Sequence, residues 1–210
     1  MLSARGLTFG YTDGEPLIEE FTEDFLPGEL VAIRGASGRG KSTLMYLLGL
    51  MLRPASGTLV IDGEDASSAG DRRRAHLRAH RFGFVFQDAV LDPTRTVLDN
   101  VLESTLYRDE RRADLRPRAL SLLTRFGVEL RAEARPGEVS GGQAQRIALS
   151  RALLGAPRYV LADEPTGNLD PDSSSIVIDA FRRHAHDGGA VVIVTHDPAI
   201  AERCDRSVTL

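Results

Sequence analysis

Leu30 to Leu52, "LVAIRGASGRGKSTLMYLLGLML", leaves this chain few folds to choose from. "LVAIRG" is a short apolar strand ending in glycine, and "KSTLMYLLGLML" (Lys41–Leu52) has the apolar spacing of a helix. Between them "GASGRGKS" (Gly35–Ser42) matches G-x-x-x-x-G-K-[ST] in full, in the strand-to-helix context that the pattern requires. Such a loop curls so that several N–H groups point inward at phosphate oxygens, and the helix start adds positive potential. Gly35, Ala36, Ser37, Gly38, Arg39 and Gly40 are therefore candidate phosphate-binding residues. Lys41 places a point charge on the β- and γ-phosphates, the Ser42 hydroxyl suits Mg²⁺, and Thr43 suits an α-phosphate. Lys41 is the only lysine; the other basic residues, 25 of 26, are arginines. A lysine kept against that bias marks a position where arginine does not serve.

The rest of the chain fits an α/β core. "GTLVIDG", "GFVFQ" (Gly83–Gln87), "YVLADE" and "AVVIVTH" read as further strands. Their continuous apolar character indicates a sheet buried on both faces. Strands alternating with helices indicate α/β. "GLTFGY" and "LIEEFTEDF" alternate more and predict an antiparallel flank. Leu98–Gly155 has a helical pattern, with breaks expected near Pro117 and Pro136. "DSSSIVIDAFRRHAHD" predicts a helix opened by Asp172. The expected layout is a core with its flank over 1–86 and 157–210, and a helical insertion over 87–156.

"YVLADEP" delivers two carboxylates to the C-terminal end of a buried strand, where α/β sheets bind ligands. Asp163 suits Mg²⁺. Glu164, expected on the opposite side of the strand by alternation, suits polarising a water against the γ-phosphate. "VSGGQAQR" (Val139–Arg146) raises a second phosphate cradle. Ser140 and Gln143 form the S-x-x-Q of a capping box. Two consecutive glycines, Gly141 and Gly142, cost helix stability, and a ligand approaching the backbone closely would explain them.

Here the sequence resembles the ATP-binding cassette (ABC) ATPases, over nearly its whole length and in order. Tyr11 looks like the aromatic that stacks on adenine. "GASGRGKST" resembles the Walker A loop, and Gln87 the Q-loop glutamine that senses Mg²⁺ and water. "VSGGQ" resembles the family signature, with Val139 where leucine is usual. "YVLADE" resembles Walker B, "NLD" (Asn168–Asp170) the D-loop, and His196 the switch histidine that contacts the γ-phosphate. The resemblance implies a P-loop NTPase core with an antiparallel β flank and an inserted helical subdomain. It implies two cassettes paired head to tail around two ATP molecules. Ser140, Gly141, Gly142 and Gln143 would then face the partner's γ-phosphate, and Asp170 would cross the interface. Glu164, His196, Lys41 and Gln87 would form the catalytic set, with Ser42, Gln87 and Asp163 holding Mg²⁺.

"EPTGNLD", "SGRGKST" and "VTHDPAIAERCDR" resemble the branch serving macrolide export, lipoprotein release and cell-division complexes. That branch implies a separate membrane permease and a cytoplasmic cassette lying peripherally on the inner face of the membrane. Leu91–Asn100 is the candidate docking segment for the permease. The alternative class is a soluble ABC ATPase acting on a cytosolic assembly, such as iron–sulfur scaffold loading or DNA repair. A third is a nucleotide-gated binding subunit with little hydrolysis, against which Glu164 and His196 argue.

Bulk properties exclude other classes. A chain of 210 residues buries roughly 70% of its extended surface and needs no staple. One cysteine, Cys204, forms no internal disulfide, which suits a reducing compartment. A formal charge of -4 argues against broad nucleic-acid binding. No apolar run approaches the ~20 residues of a membrane span, the N-terminal residues do not read as a secretory signal, and no C-terminal regulatory domain is expected. His76 and His80, at i and i+4, have a metal-pair spacing with no third ligand evident. "RRRAHLRAHR" reads as a solvated face.

Overall fold

The computed structural model describes residues 1–11, 14–36, 38–108 and 110–210. The binding expectation for Ser37 lies outside the described residues. The chain forms two sheets with helices packed on and between them. β1 (Leu2–Phe9), β2 (Ile18–Phe25), β4 (Ser56–Ile61) and β5 (Glu64–Asp65) make a four-stranded sheet in the order β2-β1-β4-β5. All its pairings are antiparallel, for example Leu2 opposite Phe25 on one side and Ile61 on the other. β3 (Leu30–Arg34), β6 (Phe82–Val85), β7 (Tyr159–Asp163), β8 (Ala190–Val194) and β9 (Arg206–Thr209) make a second sheet in the order β6-β7-β8-β3-β9. Its pairings are all parallel. β8 is buried along its whole length, and β3 and β7 are buried along all but their last residue. Both sheet faces are therefore covered, as continuous apolar strands require.

The helices are α1 (Lys41–Leu48), α2 (Asp71–Arg81), α3 (Val97–Val101), α4 (Arg112–Arg125), α5 (Gly141–Leu153), α6 (Pro171–His186) and α7 (Pro198–Glu202), with short 3-10 turns after α3, at Glu129–Arg131 and at Pro136–Glu138. One core lies between α1 and the two sheets, built on Leu44, Leu48, Phe25 and Tyr159. The other joins α3, α4, α5 and α6 to the opposite sheet face through Leu98, Leu123, Ile147 and Phe181. The Tyr159 hydroxyl donates to Asp62 Oδ1 at 2.5 Å and ties the parallel sheet to the end of β4.

Four sequence expectations change. α1 stops at Leu48 rather than Leu52, because the chain turns left-handed at Leu50 (φ 59°). The freed carbonyls there are taken up by arginines. Arg74 donates to Leu50 O at 2.8 Å and Leu52 O at 2.7 Å, and Arg78 donates to Leu50 O at 2.8 Å. Arg74 is only 3% exposed, so the basic helix α2 is not simply a solvated face. Pro117 does not break its helix but lies inside α4. It forfeits one helical hydrogen bond, and the buried face of Ala119, Leu122 and Leu123 holds the helix together. Finally, α6 opens at Asp170 and not Asp172: the Asp170 carboxylate accepts from Ser173 N at 2.9 Å, and Pro171 takes the first helical position.

The arginines of the far edge have a local role. α2, α4, α5 and α6 all end around a cavity of about 410 Å³ lined by Arg81, Arg118, Arg125 and Arg158. Arg118 Nη2 donates to Leu153 O at 3.4 Å, at the carbonyl end of α5 where a cation is stabilising, while Arg81 and Arg158 pair with Asp62. His76 and His80 stack on each other at 4.1 Å, with His80 Nδ1 2.9 Å from His76 O.

Candidate functional site

The loop from β3 to α1, the end of β7 and the end of β8 meet around a cavity of about 430 Å³. Its lining includes Gly38, Gly40, Lys41, Ser42, Thr43, Gln87, Asp163, Glu164 and His196. The parallel register brings them together: Asp163 on β7 pairs with Val194 on β8, so Glu164 and His196 leave adjacent strand ends. Gly40, at φ 87°, is the N-cap of α1. A Cβ there would also lie 2.9 Å from Ile18 Cδ1 and from Leu17 Cγ. Both constraints select glycine. The turn leaves the first N–H groups of α1 available to an anion.

Lys41 Nζ donates to Gly35 O at 2.9 Å and Ala36 O at 3.0 Å, which holds the ammonium over the loop. Burial raises the Asp163 carboxyl above its ordinary pKa; the charge of Glu164 adds to the rise, while the Ser42 hydroxyl and Lys41 oppose it. Ser42, Gln87 and Asp163 present hard oxygen donors to one cavity, the donor type that Mg²⁺ takes.

Glu164 lies past the end of β7 at φ 42°, so strand alternation does not govern it, and its carboxylate lines the same cavity as Asp163. This corrects the expectation of opposite sides. A left-handed non-glycine residue costs roughly 1–3 kcal/mol and persists where surroundings over-determine it. Here they do. Glu164 Oε1 accepts from His196 N at 3.0 Å and from His196 Nδ1 at 2.6 Å, and Oε2 accepts from Thr195 Oγ1 at 3.2 Å. A carboxylate only accepts, so His196 carries its proton on Nδ1 and turns Nε2 outward from this pair. Two lone pairs per oxygen leave Oε2 room for one more donor.

Tyr11 is 66% exposed, edge-on to Phe9, with its hydroxyl 3.2 Å from Thr43 Oγ1. Gly35, Ala36, Arg39 and Tyr11 are outside the cavity lining although they adjoin it in the chain or through Thr43. The second cradle lies elsewhere. Ser140 caps α5 with the expected box: Gln143 N donates to Ser140 Oγ at 3.3 Å and Ser140 N to Gln143 Oε1 at 2.9 Å. Ser140 and Gly141 are exposed, and no described residue of 140–143 lines the cavity.

The two signature glycines have different reasons. A Cβ on Gly141 meets nothing within 4 Å, whereas one on Gly142 would lie 2.8 Å from Ser173 Oγ. Ser173 on α6 thus crowds Gly142, through a hydroxyl at the end of a rotatable side chain. Gly142→Ala is expected to turn the Ser173 hydroxyl aside at a cost of about 1 kcal/mol and to lower ATP turnover less than tenfold. Adding Ser173→Ala should recover most of the loss in a steady-state ATPase assay. A double variant as slow as the single one would return Gly142 to the ligand.

The sequence reading missed Gln145, Arg151, Ser173 and Thr195. Gln145 is 3% exposed and donates to Phe86 O at 2.8 Å. Its signal was a polar residue on the apolar face of an amphipathic helix. In the candidate docking segment 91–100, Val97, Leu98 and Asn100 are buried and Asn100 bonds Asp92 and Thr96, while Pro93 and Thr94 are exposed. The exposed apolar residues lie beside it, at Val90 (65%) and Tyr107 (68%). Both line a groove of about 780 Å³ floored by Phe84 and Phe86.

Residues 18–167 match the family described as "ABC transporter". This chain belongs to that family. It is an ABC ATPase cassette, and its relatives match the branch that "EPTGNLD", "SGRGKST" and "VTHDPAIAERCDR" indicated. The lipoprotein-releasing system ATP-binding protein LolD of Bordetella pertussis is 44% identical over 99% of this chain and 91% of its own length. The macrolide export ATP-binding/permease protein MacB 1/2 of Paracoccus denitrificans is 43% identical over the whole chain. The cassette spans only 32% of that larger protein. The ABC transporter cassette MJ0796, solved as a dimer, superposes with a TM-score of 0.91 at 33% identity, covering 100% of this chain and 94% of its own. A post-hydrolysis dimer of the same protein bound to ADP and Pi also gives 0.91. Among the described residues no helix is long and apolar enough to cross a membrane.

Proposed function

We propose that this cassette hydrolyses ATP as a head-to-tail pair and drives a separate membrane permease, in export, lipoprotein or lipid extraction, or mechanical transmission across the membrane. Residues 87–156 are read as a helical subdomain inserted into the core. One observation carries the pairing: Lys41 and Ser140 both suit γ-phosphate, yet Ser140 is exposed and lies outside the cavity that Lys41 lines. A second copy brings the two together. The dimeric MJ0796 cassette and the relatives named for lipoprotein release and macrolide export support the same reading.

In this reading Tyr11 stacks on the base, residues Gly35 to Thr43 hold the phosphates, and Lys41 stabilises charge on the γ-phosphate. Ser42, Gln87 and Asp163 hold Mg²⁺, which when bound supplies charge neutralisation on the phosphate oxygens. Glu164 takes a hydrogen bond from the attacking water at the free lone pair of Oε2, which aims that water at phosphorus and withdraws its proton. His196 Nε2 faces the γ-phosphate, with its ring held by Glu164. Ser140, Gly141, Gly142 and Gln143 close on the partner's ATP, and Asp170 lies at the interface. The permease is read as seated in the groove at Val90, which places the cassette on the inner face of the membrane.

Tagged cassette extracted from membranes of its own cells should co-purify with a multi-span protein, and Val90→Asp should lower the yield of that protein at least tenfold. A wholly cytosolic complex, or a membrane partner indifferent to the groove, would overturn the permease reading.

A further inference from the structure

Gln87 stands in the nucleotide cavity on a stretch of chain with no regular secondary structure, just past the end of β6. Something must hold it. The backbone on both sides of Gln87 is fastened to one helix, α5. Gln145 Nε2 donates to Phe86 O at 2.8 Å. Arg151 reaches the other side, with Nη2 on Ala89 O at 2.9 Å and Nη1 on Val90 O at 2.8 Å. Glu103, 3.6 Å from Arg151 Nη1, balances the guanidinium in a setting where the side chain is only 17% exposed. A second observation points the same way. Val90 is β-branched and left-handed, at φ 46°. Such a backbone is an outlier that persists where its surroundings over-determine it, and the Arg151 bond to its carbonyl is part of that restraint. The Val90 side chain meanwhile is exposed in the groove.

The same helix begins at Ser140. We propose that Arg151, assisted by Gln145, is a positioning residue for Gln87: it fastens Phe86–Val90 to the signature helix, so the groove, one ATP site and the signature end move as one body. The inference rests on the paired-cassette reading. In a pair, Gln87 serves the subunit's own ATP and Ser140 serves the partner's. A push at Val90 therefore reaches both sites through α5. The planar fork of arginine is what the geometry selects, since two successive carbonyls are bonded by the two ends of one guanidinium. Lysine keeps the charge beside Glu103 and offers a single point.

The test places Arg151→Lys in a Glu164→Gln chain, so that ATP is bound and not consumed. Cleavage within residues 87–91 by a nonspecific protease, located by mass spectrometry, should speed up at least tenfold, with cleavage at residues 147–150 inside α5 within twofold of the parent. The Mg²⁺ concentration at half-maximal ATP-driven dimerisation, read by light scattering, should rise about tenfold, with ATP affinity in EDTA unchanged. Gln145→Met, which removes only the Phe86 bond, should act in the same direction and more weakly; it also stands in if Arg151→Lys folds poorly. Unchanged cleavage at 87–91 in the folded variants overturns the proposal. So does a rise spread evenly over the chain together with lost affinity in EDTA, which would mark a general loosening. Gln87→Ala is the control. If it leaves the Mg²⁺ midpoint unmoved, the reading of Gln87 as a ligand fails, and the cleavage at 87–91 still decides the fastening.

Discussion

Glu164→Gln should bind ATP with near-normal affinity and hydrolyse it about 10²–10⁴-fold more slowly, the usual cost of losing a general base. The amide keeps the size of the carboxylate and can place its oxygen where Glu164 Oε1 now accepts from His196 N and Nδ1. Its nitrogen falls beside Thr195 Oγ1, which can turn to accept, so the cavity keeps its shape. What disappears is the anionic Oε2 and its remaining lone pair, the group read here as polarising water. With saturating ATP the variant should accumulate as a dimer by light scattering, because closure needs bound ATP and reopening needs its hydrolysis. Near-normal turnover would remove Glu164 from its role. A monomer under saturating ATP would count against the clamp itself.

Lys41→Arg should lower turnover by roughly 10²–10³-fold, the scale for losing one donor aimed at transition-state charge. The substitution keeps the charge, so the loss is a matter of shape. Nζ now sits 2.9 Å from Gly35 O and 3.0 Å from Ala36 O, a compact ammonium held against a tight loop. A guanidinium is wider, planar and directs its donors in a fixed fork. It cannot satisfy those carbonyls and also present a single point to the β- and γ-phosphates. Steady-state hydrolysis together with nucleotide binding in EDTA checks this. Wild-type turnover would mean that the lone lysine of an arginine-rich chain is incidental.

Much of the site was legible because its chemistry is carried by contiguous residues. The loop Gly35–Ser42 needs its glycines, lysine and hydroxyl in one run, and the pattern shows them. Asp163 and Glu164 were legible for the same reason, as the polar end of an apolar strand. The orientation of Glu164 was not. Strand alternation was the wrong guide, since the residue leaves the strand at φ 42° under the hold of Thr195 and His196, some thirty positions away in the chain. Helix ends were legible where a local cap decides them, as at Ser140. They were missed where a distant partner decides, as at Leu50, whose carbonyl is claimed by Arg74 and Arg78. The second glycine of the signature belongs to the same class: its neighbour is Ser173, on another helix.

Sequence alone determined the chemistry on offer here: a phosphate loop, an acidic strand end, a capped second cradle, and the family to which their order belongs. Those features depend on residues within a few positions of one another, so local backbone physics suffices to read them. The tertiary structure alone decided which groups share a cavity, why Glu164 and Asp163 face it together, and which helix holds Gln87 in place. Those outcomes depend on the register of β7 against β8 and on side chains reaching carbonyls some sixty residues away in the chain. No local pattern encodes such contacts, because they exist only once the sheet has brought its strand ends side by side.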